Sequence, residues 1–182
     1  SKGFFPDKVW QEVRSRVLDL HDRRLRLMDQ YGIEMMLLSL NAPAVQAIPD
    51  ARQANEIARK ANDYLAEQVA QRPDRFQGLA ALPMQDPDLA TRELERCVKE
   101  LGFIGCNLNP DPSGGFWKEP PLTDKWWYPL YEKMVELDVP GMIHVSASCN
   151  PAFHATGAHY INGDTSAFMQ LIQGDLFKDF PT

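Results

Sequence analysis

Four apolar runs, each preceded by a stretch of helical periodicity, constrain what this 182-residue chain can fold into more than any other feature. They are "IEMMLLSL" (33–40), "FQGLAALP" (76–83), "FIGCNLNP" (103–110) and "PGMIHV" (140–145). They lack the strict polar–apolar alternation of a half-exposed strand, which predicts buried parallel strands covered on both faces. The intervening segments read as amphipathic helices. From Asp7 to Gln30, residues Val9, Trp10, Val13, Val17, Leu20 and Leu27 recur at helical spacing among charged residues, and Gly32 supplies the stop. Asp50 caps a second helix that stops before Pro73, and Asp86-Pro87 opens a third that ends at Gly102. Asp124 caps a fourth helix running through Leu137, in which Trp126 and Trp127 serve packing, and Asp164 to Gln173 reads as the last.

Buried strands alternating with helices, with no tight hairpin signal, predict an α/β protein with a parallel sheet, a single domain over residues 1–182. Polar residues gather just past the strand ends: Ser39 and Asn41, Asn107 and Asn109, then His144, Ser146 and Ser148. A (β/α)8 barrel builds its active site at that edge, which favours a barrel, although open doubly wound sheets place ligands there too. No GxGxxG or Walker-type loop follows any strand, which weakens a nucleotide-binding reading. The Pro- and Gly-rich connection from Pro110 to Pro121 is long for a strand-to-helix loop, and such loops tend to carry function.

Charge and cysteine usage narrow the partners. A net charge of −6 argues against nucleic acid, which needs clustered Lys and Arg, and no apolar run approaches the length of a membrane span. Cys97, Cys106 and Cys149 form neither a CxxC pair nor an even disulfide set, so a reducing cytoplasm is the expected location. The partner left is a small molecule, and a homo-oligomer is compatible with the sequence.

His144, ending a buried strand, can offer an imidazole nitrogen to zinc at the mouth of the sheet, or be a core histidine bonded to its neighbours. His154 and His159 are five apart, the wrong spacing for HExxH, and read as loop histidines. Tyr160 can donate its phenol to an anionic substrate or an enolate oxygen, or simply sit amphipathically at a loop–helix junction. Asn107 and Asn109, two apart on a strand end, share a face and can donate to carboxylate oxygens, or start the turn at Pro110. Cys149 reads as an inert thiol before a nucleophile, and His21 as a solvated group on the first helix.

Beginning at His144, the string "HVSASCNPAFHATGAHYINGDTSAFMQLIQGDLFKDFP" resembles the zinc-dependent 4-oxalomesaconate hydratases, in the branch of the amidohydrolase superfamily that also holds aromatic-acid decarboxylases. "PDRFQGLAALPMQDPDLATRELERCVKELGFIGCNLNP" (73–110) is similar to the branch as a whole, whereas "CNPAFHATGAHY" points to the hydratases. The resemblance implies a distorted TIM (β/α)8 barrel of the metal-dependent hydrolase type with one divalent ion, zinc. It makes His144 a metal ligand and Tyr160 a catalytic pocket residue, with Asn107, Ser39, Ser146 and His159 contacting a small polycarboxylate. The family's HxH pair is missing from this sequence, and the segment bearing its later histidine and acid is not seen after "KDFP". The resemblance therefore implies the central portion of a barrel, strands two to five of a chain about twice as long, lacking the first and last strands. The implied reaction is addition of water to the C=C bond of 4-oxalomesaconate in aromatic degradation. The alternatives are decarboxylation of an aromatic or dienoic acid, or a catalytically silent piece.

Overall fold

The structure, a computed structural model, describes residues 6–41, 43–145, 148, 150 and 157–181. Its elements are α1 (Asp7–Leu18), α2 (Arg23–Tyr31), β1 (Met36–Leu38), α3 (Ala51–Gln71), β2 (Phe76–Gly78), α4 (Pro87–Lys99), β3 (Cys106–Leu108), α5 (Tyr128–Leu137), β4 (Gly141–Ile143), α6 (Gly157–Gln173) and α7 (Leu176–Asp179). Each predicted strand is present, shorter than its apolar run.

β1 pairs with β2 and β3 with β4, all parallel. Just past β2, the Ala80–Cys106 bridge joins the two pairs, with Ala80 N–H donating to Gly105 O and Asn107 N–H to Ala80 O. Strand neighbours in the chain are therefore neighbours in space, without the reversal that marks a doubly wound sheet. Because every strand runs the same way, all four C-terminal ends reach one edge. The main core lies between this layer and α4–α5, where Leu82, Met84, Leu94, Phe103, Trp127 and Leu130 are buried.

Local chemistry explains the helix boundaries. The Asp50 carboxylate accepts from Gln53 N–H, Asp86 from Asp88 and Leu89, and Asp124 from Trp126, each satisfying otherwise orphaned donors at a helix start. Gly32 takes φ +66 to end α2 and Gly102 takes φ +71 soon after α4, the left-handed conformation glycine adopts without steric cost. Asp124 opens a 3₁₀ turn (Lys125–Trp127) before α5 starts, and α6 begins at Gly157, upstream of the predicted Asp164.

Three expectations need correction. The single helix over Asp7–Gln30 is two, broken at residues 19–22: the Asp19 carboxylate accepts from the Asp22 and Arg23 amides, and the Arg24 guanidinium bonds the carbonyls of Arg16, Val17 and Asp19. These side chains cap both ends of the break, which the periodicity of apolar residues does not register. His21, in that break, is not a solvated surface group; its Nε2 lies 3.1 Å from Gln68 Oε1 and its ring packs edge-on against buried Phe76. β1 and β4 depart too: Leu37 is 51% and Met142 39% exposed, so among the described residues these strands are not covered on both faces.

The strand layer leaves no room at Gly105. A Cβ there would stand 2.6 Å from the Pro140 carbonyl oxygen, a backbone atom that cannot rotate away. Gly105→Ala is expected to lower stability by about 1–3 kcal/mol through overpacking, read as a lower urea midpoint at unchanged m.

Candidate functional site

The polar residues that the sequence places past the strand ends converge in part. Asn107 in β3, Asn109 just beyond it and His144 directly after β4 line one cleft with Leu40, Gln46 and Ala81. His144 is held by its backbone, whose N–H donates to Leu108 O at 2.9 Å, while the residue is exposed. Asn109 is buried, and Asn107 is half-buried with Oδ1 sealed from solvent and lacking a partner among the described residues. Their shared cleft agrees with the period-two reading of Asn107 and Asn109.

The cleft holds roughly 20 Å³, room for about one water molecule. The described residues therefore form one wall of a site. A larger hollow of about 520 Å³ lies beside β4, bordered by Tyr131, Met134, Ile143, Leu171 and Phe180. It is mainly apolar and lacks the convergent polar groups that chemistry requires.

Other predicted site residues fall outside this cleft. Half-buried Ser39 follows β1, but it is its neighbour Leu40 that lines the cleft, because successive residues of extended chain face opposite sides. Tyr160, in the first turn of α6, is 39% exposed and does not border the cleft. Ser146, Cys149 and His154 lie outside the described residues, and of His159 only the backbone, in α6, is described.

Sequence reading missed three supports of this edge. Gln46 stands on a 3₁₀ turn (Ala44–Ala47), and Gln85 Nε2 clamps that turn by donating to Val45 O and Ile48 O, both at 2.7 Å. The Gln46 oxygen is sealed and, among the described residues, lacks a partner, like that of Asn107. Ala81 is gripped from α3: Asn62 Oδ1 accepts its N–H at 2.9 Å and Asn62 Nδ2 donates to its carbonyl at 3.0 Å. Asn62 also donates to Glu93 at 2.8 Å, and the Glu93 carboxylate takes further bonds from Arg59 and Arg96. The available signal was Glu93 itself, a charge on the helical face shared with Ala90, Leu94 and Cys97. The third support is Asp111, a buried carboxylate in the loop after β3.

Neither of the two described cysteines offers a nucleophile. Burial pushes the Cys106 thiol up to about 12, and burial, with Glu93 second, raises Cys97 as well, so neither ionises near neutral pH.

Among the described residues no group of three His, Cys, Asp or Glu could hold a metal ion. His144 supplies one imidazole at this edge, short of the three or more protein ligands of a metal centre, so these residues do not by themselves fit an ion. No described helix is long and apolar enough to cross a membrane.

Comparison with known proteins adds the following. The family described as Amidohydrolase matches residues 13–182. A 2-keto-4-carboxy-3-hexenedioate hydratase from Sphingobium sp. is 52% identical over 182 residues, covering 98% of this chain and 52% of the relative. A gamma-resorcylate decarboxylase from Polaromonas sp. is 60% identical over 192 aligned residues, covering all of this chain and 59% of the relative. The crystal structure of a dihydroxybenzoic acid decarboxylase from Polaromonas sp., with manganese and the inhibitor 2-nitroresorcinol, superposes with TM-score 0.81 at 47% identity. It covers 100% of this chain and 57% of that one. The chain thus spans a little over half the length of these relatives.

Proposed function

Because the chain belongs to the amidohydrolase family, we propose that the protein to which these residues belong is a lyase acting on a conjugated carboxylic acid. The observation that carries this is the meeting of Asn107, Asn109 and His144 in one cleft at the C-terminal edge of four parallel strands in chain order. We read that layer as the central portion of a distorted (β/α)8 barrel, in which this edge is the catalytic one.

The first reading is hydration of 4-oxalomesaconate, supported by the 52% identity to the hydratase. Attack of water on an alkene conjugated to a keto group builds an enolate, and donors at this edge lower its energy. The second reading, non-oxidative decarboxylation of a dihydroxybenzoate, is favoured by the 60% identity to the decarboxylase. Protonating the ring carbon that bears the carboxylate gives a delocalised dienone, and loss of carbon dioxide restores the aromatic ring. Both routes need a bound carboxylate and donors facing a delocalised oxygen.

In this proposal the Asn107 amide, which lines the cleft, holds a carboxylate oxygen; Ser39 and Tyr160 do not border that cleft and, with Ser146 and His159, are proposed to meet the substrate only where it extends beyond it, the Tyr160 phenol toward the developing enolate. His144 would contribute its imidazole to a divalent ion, zinc in our reading, against the manganese bound in the solved relative, with the remaining ligands supplied from outside the described residues. Such an ion supplies Lewis acidity and a water of lowered pKa. The protein acts in the cytoplasm on a small polycarboxylate, as a monomer or homo-oligomer.

The deciding assay supplies the intact protein with each acid in turn, following loss of the 4-oxalomesaconate chromophore and release of carbon dioxide from 2,6-dihydroxybenzoate. A preference of at least about a hundredfold in kcat/KM assigns the reaction, because sites built around particular polar groups discriminate on that scale. Turnover of neither acid would overturn the lyase reading.

A further inference from the structure

The loop that leaves β3 is organised around one carboxylate. Asp111 is 6% exposed, and one of its oxygens accepts from the Ser113 amide at 2.9 Å and the Ser113 hydroxyl at 2.5 Å. The other accepts the Gly115 amide at 2.7 Å and the Trp117 amide at 2.9 Å. Only an acceptor with two oxygens satisfies this set; in either orientation an amide would turn a donor against at least one N–H group. The arrangement also stabilises an uncommon backbone. Trp117 has φ +51, a left-handed conformation that bulky residues rarely adopt, and its amide is one of those that Asp111 holds.

The loop so fixed touches the segment that follows β4. The Gly115 carbonyl accepts from the Ser148 hydroxyl and from Asn150 Nδ2, each at 3.5 Å, and the Ser148 hydroxyl accepts the Asn150 amide at 3.0 Å. The approach is close: a Cβ on Gly115 would fall 1.9 Å from Ser148 Oγ, and φ +98 there disfavours any side chain. Ser148 lies four residues beyond His144, and Asp111 two beyond Asn109, so the contact joins the exits of the two strands that carry the polar wall of the cleft.

We propose that Asp111 is a positioning residue: by fixing the loop after β3 it fastens Ser148 and Asn150 to Gly115 and so sets the wall against which the carboxylic-acid substrate binds. The role rests on reading this edge as a substrate pocket. Asp111 does not touch the substrate; it acts through the Gly115 carbonyl.

The test uses the intact, active protein and two kinds of measurement. Hydrogen exchange followed by mass spectrometry on Asp111→Asn is expected to accelerate at least about tenfold at residues 111–117 and at Ser148 and Asn150 together, with α3 and α4 unchanged. In the same variant, KM for the acid that is turned over rises about tenfold or more while kcat stays within about threefold, the pattern of lost uniform binding. Ser148→Ala removes the contact from the other side without disturbing Asp111, and it is expected to raise KM in the same direction with residues 111–117 still protected. Acceleration confined to residues 111–117 in Asp111→Asn, or an unchanged KM in both variants, would overturn the proposal. If the unaltered protein turns over neither acid, the lyase reading fails, and coupled or uncoupled exchange of the two segments alone decides whether Asp111 fastens them.

Discussion

Replacing Glu93 by alanine is expected to remove about 3–5 kcal/mol of stability, the cost of breaking a buried, hydrogen-bonded ion pair from one side. The Glu93 side chain is fully buried. Its carboxylate accepts from Arg96 at 2.7 and 3.0 Å, from Arg59 at 3.0 Å and from Asn62 at 2.8 Å. With the carboxylate gone, the Arg96 guanidinium, its side chain only 11% exposed, keeps Asp63 as its ion partner, and Asn62 loses one of the bonds that orient it toward Ala81. A cavity adds to the loss. Lys99 and Glu95 form a contrasting pair on the same helix, with side chains 54% and 37% exposed; Glu95→Ala is expected to cost under about 1 kcal/mol. Chemical denaturation of both variants measures the difference, and equal midpoints would mean that the Glu93 network contributes nothing beyond a surface pair. Because Asn62 grips the backbone that lines the cleft, the Glu93 variant is also expected to lose activity under conditions where it remains folded.

The second large effect concerns chemistry rather than stability. His144→Ala in the intact protein is expected to lower kcat/KM by at least about a hundredfold and to reduce bound divalent metal, the scale seen when ligands or their supports are lost from metal sites. The fold is expected to tolerate the change within about 0.5 kcal/mol, since His144 is exposed and is held by its backbone N–H to Leu108 O, a bond alanine retains. Thermal unfolding, metal analysis and turnover on the same preparation separate the two effects. A variant with full metal content and activity would remove His144 from the site; a variant that fails to fold would make it the core histidine that sequence reasoning also allowed.

Sequence reading reached the parts of this molecule that depend on near neighbours along the chain. The caps at Asp50, Asp86 and Asp124 and the left-handed stop at Gly32 are local, because each side chain or φ angle serves a backbone group within a few residues. The period-two placement of Asn107 and Asn109 on one face needs only the geometry of a strand. The break between α1 and α2 was missed although it too is local, because periodicity weighs apolar residues and the break is made by Asp19 and Arg24.

Distance along the chain sets the rest. Asn62 reaches Ala81 across 19 residues and Glu93 across 31, and Gly115 meets Ser148 across 33, so no window of sequence contains both halves of these contacts. Hydrophobic periodicity and capping act over a few residues, so the alternation of strands and helices was legible along the chain, the break between α1 and α2 excepted. That the Asn107 and His144 strand ends share a cleft that Ser39 does not line follows from how strands far apart in the chain pack side by side. Glu93 is buried because Asn62 and Arg59, 31 and 34 residues away, bring it partners, whereas the partners of buried Asp111 lie within six residues, in a loop whose conformation periodicity does not register.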